Sequence, residues 1–395
     1  MIRLVISCLV ALLVGLVMTR VARALALRFG VVDKPGARRV HQGVVPRMGG
    51  LGIYCGFIAG SLVYIISHPN LALAGEPLGL LLAASIVFLT GLVDDVRSIR
   101  PTTKLAGQLA AALVFVSFGG YVKFFSNPFG GDILYLDYWG IPVTVLWLVG
   151  ISNAVNLIDG LDGLAGGVSI ISACTLGVVS LSHGYYMPAA LLFVLAASTL
   201  GFLRYNFSPA SIFMGDSGSL TLGFVLGAIA IMGFAKGATM IALVIPVLIL
   251  AIPIMDTFFA IIRRLLEHKP IMQPDKGHLH HRLLAKGLSH KQTVLIIYAI
   301  TMFMGCIAIL TPLLSPWVTL ALLLAALALL FFGAKRLGIL GVSMAGAASG
   351  AENNDAEKDK SEKDNSENED AEKDENNDEN AEIKAAETAH DKTRN

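Results

Sequence analysis

Apolar runs long enough to cross a bilayer recur along the chain. They fall near residues 1–20, 49–67, 78–93, 105–119, 141–158, 164–182, 187–203, 217–234, 238–262, 292–312 and 316–334, with short polar loops between them. None alternates residue by residue, so the pattern predicts helices rather than the strands of a membrane barrel. The expected fold is an all-α polytopic integral membrane protein with about eleven transmembrane helices. The first run has no clear small-residue cleavage site and continues into Arg20, Arg23 and Arg28, so it is expected to remain as an uncleaved span.

The polar positions orient these spans. One set of alternate loops carries sixteen Lys and Arg, among them Arg47, Arg97, Arg100, Lys104, Arg204, Arg263, Arg264 and Arg282, whereas the other set carries only Lys123 and Lys236. The positive-inside rule then puts the N-terminus outside and the basic loops and C-terminus in the cytoplasm. The loop of 124–140, on the outer side, contains Pro, Gly and aromatics and reads as a short hairpin or interfacial segment.

Composition agrees with this class: 55% of the 395 residues are hydrophobic, and the mean hydropathy is positive, which excludes an ordinary soluble domain. The net charge of +1 hides two opposed parts. Residues 352–394 hold 17 acids and 7 bases, leaving 12 acids and 23 bases before them. We read 1–337 as the transmembrane domain and 338–395 as a low-complexity tail, which buries no apolar area and is expected to be disordered. Cys8, Cys55, Cys174 and Cys306 lie in apolar runs without metal-ligand spacing.

The polar clusters Asp94-Asp95, Asn153–Asp162, Asn206–Ser219 and Asp256–His281 all fall on the expected cytoplasmic side. That convergence points to one shared site. In Asn153-Ala-Val-Asn-Leu-Ile-Asp-Gly-Leu-Asp-Gly163, the pairs Asn153/Asn156 and Asp159/Asp162 are each three residues apart, so on a helical path each shares a face. Ionisable groups at the edge of a span are costly and mark function, whereas a capped helix end explains only one Asp and one Gly. The adjacent carboxylates Asp94 and Asp95 repel each other unless a cation stands nearby; Mg²⁺ suits oxygen ligands and phosphates, while Arg97, Arg100 and Lys104 offer a simpler balance. Asp216, Ser217 and Ser219 sit where a helix begins, as caps or beside free amides that suit phosphate oxygens. His278, His280, His281 and Arg282 form a basic cluster without a companion zinc ligand set, better suited to donating to diphosphate or sugar hydroxyls. A Walker A loop and a Gly-x-Gly-x-x-Gly fingerprint are both missing, so ATPase and dinucleotide readings have no support.

At Met48-Gly-Gly50, Asp94-Asp95, Asn153–Gly163, Phe213-Met-Gly-Asp216 and His278–Arg282, the chain resembles the polyprenyl-phosphate N-acetylhexosamine-1-phosphate transferases (glycosyltransferase family 4). The matches keep the family's order over most of 30–285 and are specific jointly rather than singly. Pro274-Asp-Lys-Gly-His-Leu-His-His-Arg-Leu283 resembles the branch that starts enterobacterial common antigen, O-antigen or wall teichoic acid. The peptidoglycan branch usually has three consecutive His, which Leu279 interrupts here. The resemblance implies transfer of GlcNAc-1-phosphate from UDP-GlcNAc to undecaprenyl phosphate with release of UMP, at the cytoplasmic face of the bacterial inner membrane. Phospho-MurNAc-pentapeptide transfer is the alternative within the superfamily. A secondary transporter of an anionic sugar or nucleotide is the alternative from another class, although the polar groups cluster at one face rather than mid-bilayer.

The resemblance also distributes roles. Asp216 ligates Mg²⁺, or Mn²⁺ in its place, with Asp94 and Asp95 close to the metal or the lipid phosphate. Phe213 stacks on uracil, and Asn206 and Asp159 contact the nucleotide. Asn156 and Asp162 shape the phosphate site, Asn153 joins the substrate-binding set, and Lys104 meets the lipid phosphate. Arg47 and the loop of His278, His280, His281 and Arg282 hold sugar and diphosphate; Asp94, Asp95, Asp159, Asp162 and His278 form the catalytic set. A lipid phosphate with a second pKa near ~6 is largely dianionic and is its own nucleophile. Direct attack, Asp94 as a base, and a covalent Asp intermediate all stay open. The expected partners are the two substrates and the bilayer, with no nucleic acid; a homodimer is compatible.

Overall fold

The computed structural model describes residues 1–33, 45–68, 75–125, 134–234, 241–266 and 277–336, all inside the compact unit Met1–Leu340. The tail expected at 338–395 lies outside the described residues, as do Arg38, Arg39, Lys236, Lys269 and the loop positions Pro274, Asp275 and Lys276. The helices are α1 Ile2–Phe29, α2 Gly50–Ile66, α3 Gly75–Arg97, α4 Pro101–Ser117, α5 Gly140–Ile158, α6 Leu164–Ser182, α7 Tyr186–Asn206, α8 Gly215–Phe234, α9 Ile241–Ile249, α10 Ala251–Leu266, α11 Leu279–Ala285, α12 His290–Leu310 and α13 Pro316–Arg336. Among the described residues, seven helices (α1, α3, α5, α6, α7, α8 and α12) are long and apolar enough to cross a membrane. Two shorter apolar helices, Gly50–Ile66 and Trp317–Gly333, add to them. The chain is a polytopic helical membrane protein.

Small residues set the packing. On α1 the buried positions Ser7, Ala11, Gly15, Thr19, Ala22 and Ala26 recur every three or four residues, which makes one narrow face. Gly52, Gly56 and Gly60 of α2 meet that face, and a Cβ at Gly56 would fall 2.7 Å from the Ala11 carbonyl. Close approach of this kind is how helices associate where the lipid is as apolar as the side chains. α8 runs through the middle, buried along almost its whole length against α2, α3, α5, α6 and α7.

Two expectations change. The first helix runs to Phe29 rather than about 20, because Arg20, Arg23 and Arg28 continue it past the apolar stretch; Gly30 ends it in the left-handed conformation at φ 70°. The single span expected over 238–262 is two helices, α9 and α10, broken at Leu250. Proline is the cause: Pro253 has no N–H for the Ile249 carbonyl, which accepts instead from the Ser172 hydroxyl of α6 at 3.4 Å. The segment expected on the outer side holds a pair of hydrogen-bonded strands, in keeping with a hairpin. Strand β3 Phe124–Phe125 pairs antiparallel with β4 Leu134–Tyr135, and a turn of 3-10 helix at Asp137–Trp139 leads into α5.

Candidate active site

Asp95, near the C-terminal end of α3, accepts from the Asp216 amide at 2.7 Å, the Ser217 amide at 3.1 Å and the Ser217 hydroxyl at 2.6 Å. It therefore caps α8 from another helix, satisfying amides that have no partner within their own helix. These are the amides that the sequence offers to phosphate, so in this state they belong to Asp95. The approach depends on glycine: Gly215 adopts φ 72°, and any Cβ there would enter the Asp95 carboxylate.

Asp216 gathers the remaining charge. Its carboxylate accepts from Arg47 Nη2 at 3.1 Å, from Asn156 Nδ2 at 3.1 Å and from the Lys104 ammonium. Lys104 also pairs with Asp94 Oδ2 at 2.7 Å, and Arg47 Nε pairs with Asp95 at 3.2 Å. Burial alone lowers the pKa of Arg47. Asp95, Asp216, Asp94 and Asp159 more than compensate, so its pKa lies above the ordinary value. Four carboxylates and two cations thus share one end of the bundle, an arrangement that only mutual pairing sustains away from bulk water.

Arg47 is placed by backbone. Strand β1 Val32–Asp33 pairs antiparallel with β2 Val45–Pro46. Phe213 N–H donates to the Pro46 carbonyl at 2.8 Å, and Gly49 N–H donates to the Phe213 carbonyl at 2.9 Å. The Met48-Gly-Gly50 motif is therefore zipped to Phe213-Met-Gly-Asp216, and Phe213 is half-buried beside the site.

The Asn153–Gly163 stretch does not stay helical. α5 ends at Ile158, and Asp159 caps its end, so Asp159 and Asp162 do not share a helix face. Asp159 is half-buried, and its carboxyl is pushed up to about 7, first by burial and then by the charge of Asp216, with Arg47 opposing. Asp162 instead accepts from the Ala210 amide at 2.9 Å, and Asn206 accepts from the Gly163 amide at 3.0 Å while donating to the Ile212 carbonyl at 3.0 Å. Both hold the loop before α8. Asn156 faces Asp216 and Ser219, whose hydroxyl is 2.8 Å away. Asn153, expected with the substrate-binding residues, donates to Gln108 of α4 at 2.7 Å.

The histidine segment, expected as a loop, is the first turn of α11 with His278 at its N-cap, and it packs against this stretch. His280 is buried, and its Nε2 lies so close to Gly160 that any Cβ there would enter the ring. Burial first, then the neighbouring His281, lower its pKa to about 3, so it is neutral. The rings of His278 and His280 are parallel at 5.8 Å, and His281 lies 4.2 Å from His280 on the exposed side. Arg282 Nε donates to the Gly277 carbonyl at 3.2 Å. His278 Nδ1 is 3.0 Å from Asp256 of α10.

Partners outside the expected set also shape the site. Asp256 carries the same signal as the other acids, a carboxylate at the edge of an apolar run. Tyr298 of α12 donates to the Gly163 carbonyl at 2.5 Å, and nothing marks a tyrosine inside an apolar helix as a loop anchor.

Asp94 and Asp216 converge on a single positive centre, the Lys104 ammonium, so their oxygens suit a hard cation. Among the described residues, no three of His, Cys, Asp and Glu stand together as a complete ligand set. Mg²⁺ takes one or two carboxylates and completes its shell with phosphate oxygens and water, and the Asp94–Asp216 pair could supply the two. Asp95, with both oxygens committed to α8, is the acid least free to join.

Residues 77–234 match the model of glycosyl transferase family 4. A Bacillus subtilis protein described as a probable undecaprenyl-phosphate N-acetylglucosaminyl 1-phosphate transferase is 45% identical over 320 residues, which is 81% of this chain and 88% of that one. A decaprenyl-phosphate N-acetylglucosaminephosphotransferase of Mycolicibacterium smegmatis is 40% identical over 72% of this chain and 76% of its own. An Escherichia coli K12 undecaprenyl-phosphate α-N-acetylglucosaminyl 1-phosphate transferase is 31% identical over 80% and 86%. With relatives this similar covering most of its length, and the motifs meeting at one end of the bundle, the chain belongs to glycosyl transferase family 4.

Proposed function

We propose that this protein transfers GlcNAc-1-phosphate from UDP-GlcNAc to undecaprenyl phosphate, yielding undecaprenyl-diphosphate-GlcNAc and UMP, at the cytoplasmic face of the bacterial inner membrane. An oxygen of the lipid phosphate bonds to the phosphorus that carries the sugar, and the bridge to the uridine-bearing phosphate breaks, so UMP leaves with the electron pair. The observation that carries this reading is the pairing of Asp216 with both Arg47 and Lys104 at the membrane edge.

Bound at Asp216 and Asp94, Mg²⁺ supplies charge neutralisation along the diphosphate and the leaving UMP. Lys104 and Arg47, each paired with carboxylates, are the cations on hand for phosphate oxygens, with Lys104 facing the lipid phosphate. Asn156 keeps the Asp216 carboxylate in register. The histidine loop supplies donors to sugar and diphosphate beside Gly160. The lipid phosphate is already dianionic at neutral pH, so alignment and charge stabilisation account for the rate without a strong base.

The test is UMP release from UDP-GlcNAc by purified protein in detergent. Release is expected to require both Mg²⁺ and undecaprenyl phosphate. Release without the lipid acceptor would point to a covalent intermediate, and no release with both present would remove the reading.

A further inference from the structure

The Asp256 carboxylate is buried in the wall between α10 and the histidine loop, 5% exposed. Its two oxygens have different work. Oδ1 accepts from the Leu279 amide at 2.8 Å, and Oδ2 lies 3.0 Å from His278 Nδ1. Facing a carboxylate oxygen as acceptor, Nδ1 carries the proton, which leaves Nε2 as the accepting nitrogen of the ring. One turn-pair further along α10, the Arg263 guanidinium lies against Gly277, so tightly that a Cβ at Gly277 would overlap it. Asp256 and Arg263 are seven residues apart on one buried helical face, and they brace Gly277, His278 and Leu279 in succession.

The same wall borders an apolar cavity of about 430 Å³ lined by Ile252, Phe259, Leu279, Ile300 and Phe303. In such surroundings the carboxylate has little solvent to compete for it, so its hold on His278 is strong.

We propose that Asp256 is a positioning residue for the transfer reaction: it fixes the ring orientation and tautomer of His278, so that Nε2 is presented as an acceptor for a hydroxyl or amide N–H of the sugar. This rests on the function proposed above. It assigns Asp256 no contact with substrate. The logic is that of a carboxylate behind a metal-bound or catalytic histidine, where losing the outer partner lowers function while the inner one remains.

A double-mutant cycle tests it. Asp256→Asn is isosteric and can still accept from the Leu279 amide through its carbonyl oxygen, but it presents an N–H to His278 Nδ1 and inverts the tautomer. The expected result is a fall in kcat of roughly 10–100-fold. In a His278→Ala background, adding Asp256→Asn should change kcat by less than about threefold, because the two act as a unit. A kcat within threefold of wild type for Asp256→Asn alone would overturn the proposal. So would a full, separate loss on top of His278→Ala, which marks a purely structural role. If Asp256→Asn does not purify as a folded protein, the same cycle with Asp256→Ala, which removes the acceptor from His278 Nδ1, is judged by the same criterion. Wild-type turnover of UDP-GlcNAc run alongside separates the failures. No turnover removes the function reading and this inference together, whereas turnover indifferent to Asp256 removes this inference alone.

Discussion

Asp95 caps the helix that begins with Gly215-Asp216-Ser217, reaching the Ser217 hydroxyl at 2.6 Å across 122 residues of sequence. Its neighbour Asp94 does something different, pairing with Lys104 and accepting from the Ile99 amide at 2.8 Å. Two adjacent acids therefore have different partners, Asp95 the start of α8 and Asp94 the Lys104 ammonium. Asp95→Asn should lower stability by about 0.5–2 kcal/mol, the usual worth of a helix cap, read as a lower thermal midpoint in detergent. Asp216→Asn should abolish turnover while leaving a folded protein in the membrane. Near-normal turnover by that variant would remove Asp216 from the cation site.

Asp159 gives a pH signature. Its carboxyl is raised from 3.8 to about 7 in the folded protein. The native state therefore holds a proton that the unfolded chain has released, and stability falls as pH rises from about 4 to about 7, then levels off. Thermal midpoints of chelator-treated protein should show that decline, and Asp159→Asn should flatten it. Ionised Asp159 adds negative charge near Asp216 and so favours a divalent cation there, and the Mg²⁺ concentration needed for half-maximal activity should drop as pH rises through neutrality. A flat midpoint profile in both proteins would contradict the assignment.

The gathering of distant motifs at one end was legible because apolar runs alternate direction. Asp94, Asn156, Asn206 and Asp216 each sit at a boundary of the same parity. The division of labour inside each motif was not legible. Residues three apart on a helix differ by about 60° in direction, and that is enough to send Asn153 to Gln108 on α4 and Asn156 to Asp216 on α8. The break at Leu250 had a visible cue in Pro246 and Pro253, yet an unbroken apolar run also fits a kinked span. Asp256 was legible as a costly carboxylate, but its partner lies on a loop joined to α10 by residues 267–276, so their pairing needed three dimensions.

The amide pair across α4 and α5 separates packing from binding. Asn153 and Gln108 exchange two hydrogen bonds, at 2.7 and 3.3 Å, and Gln108 is buried. Asn153→Leu alone strands Gln108 and should cost about 1–3 kcal/mol in stability. Adding Gln108→Leu removes the stranded group and should recover much of that loss, with turnover at least a third of wild type. Asn156→Ala, which removes bonds to Asp216 and Ser219, should instead lower kcat by about tenfold or more with little change in the thermal midpoint. If the double Leu variant stays inactive although it is stable, Asn153 has a substrate role after all.

Gly91 decides how closely α3 can lie against α8. A Cβ at this position would stand 2.5 Å from the Ser217 Cα and backbone nitrogen, atoms fixed by the Asp95 cap, so neither side has a flexible group that could yield. Gly91→Ala must push the helices apart, lengthening the Asp95–Ser217 bonds and moving Asp216 away from Lys104. Turnover should drop by more than about tenfold and the thermal midpoint should fall, since overpacking a close contact costs about 1–3 kcal/mol. Gly150 on the outer surface of α5 is the matched control: a Cβ there meets no atom within 4 Å. Gly150→Ala should leave turnover unchanged and add up to about 0.5–1 kcal/mol of helix stability. Equal behaviour of the two alanine variants would mean that α3 and α8 tolerate separation, and the cap by Asp95 would not be what holds Asp216 in place.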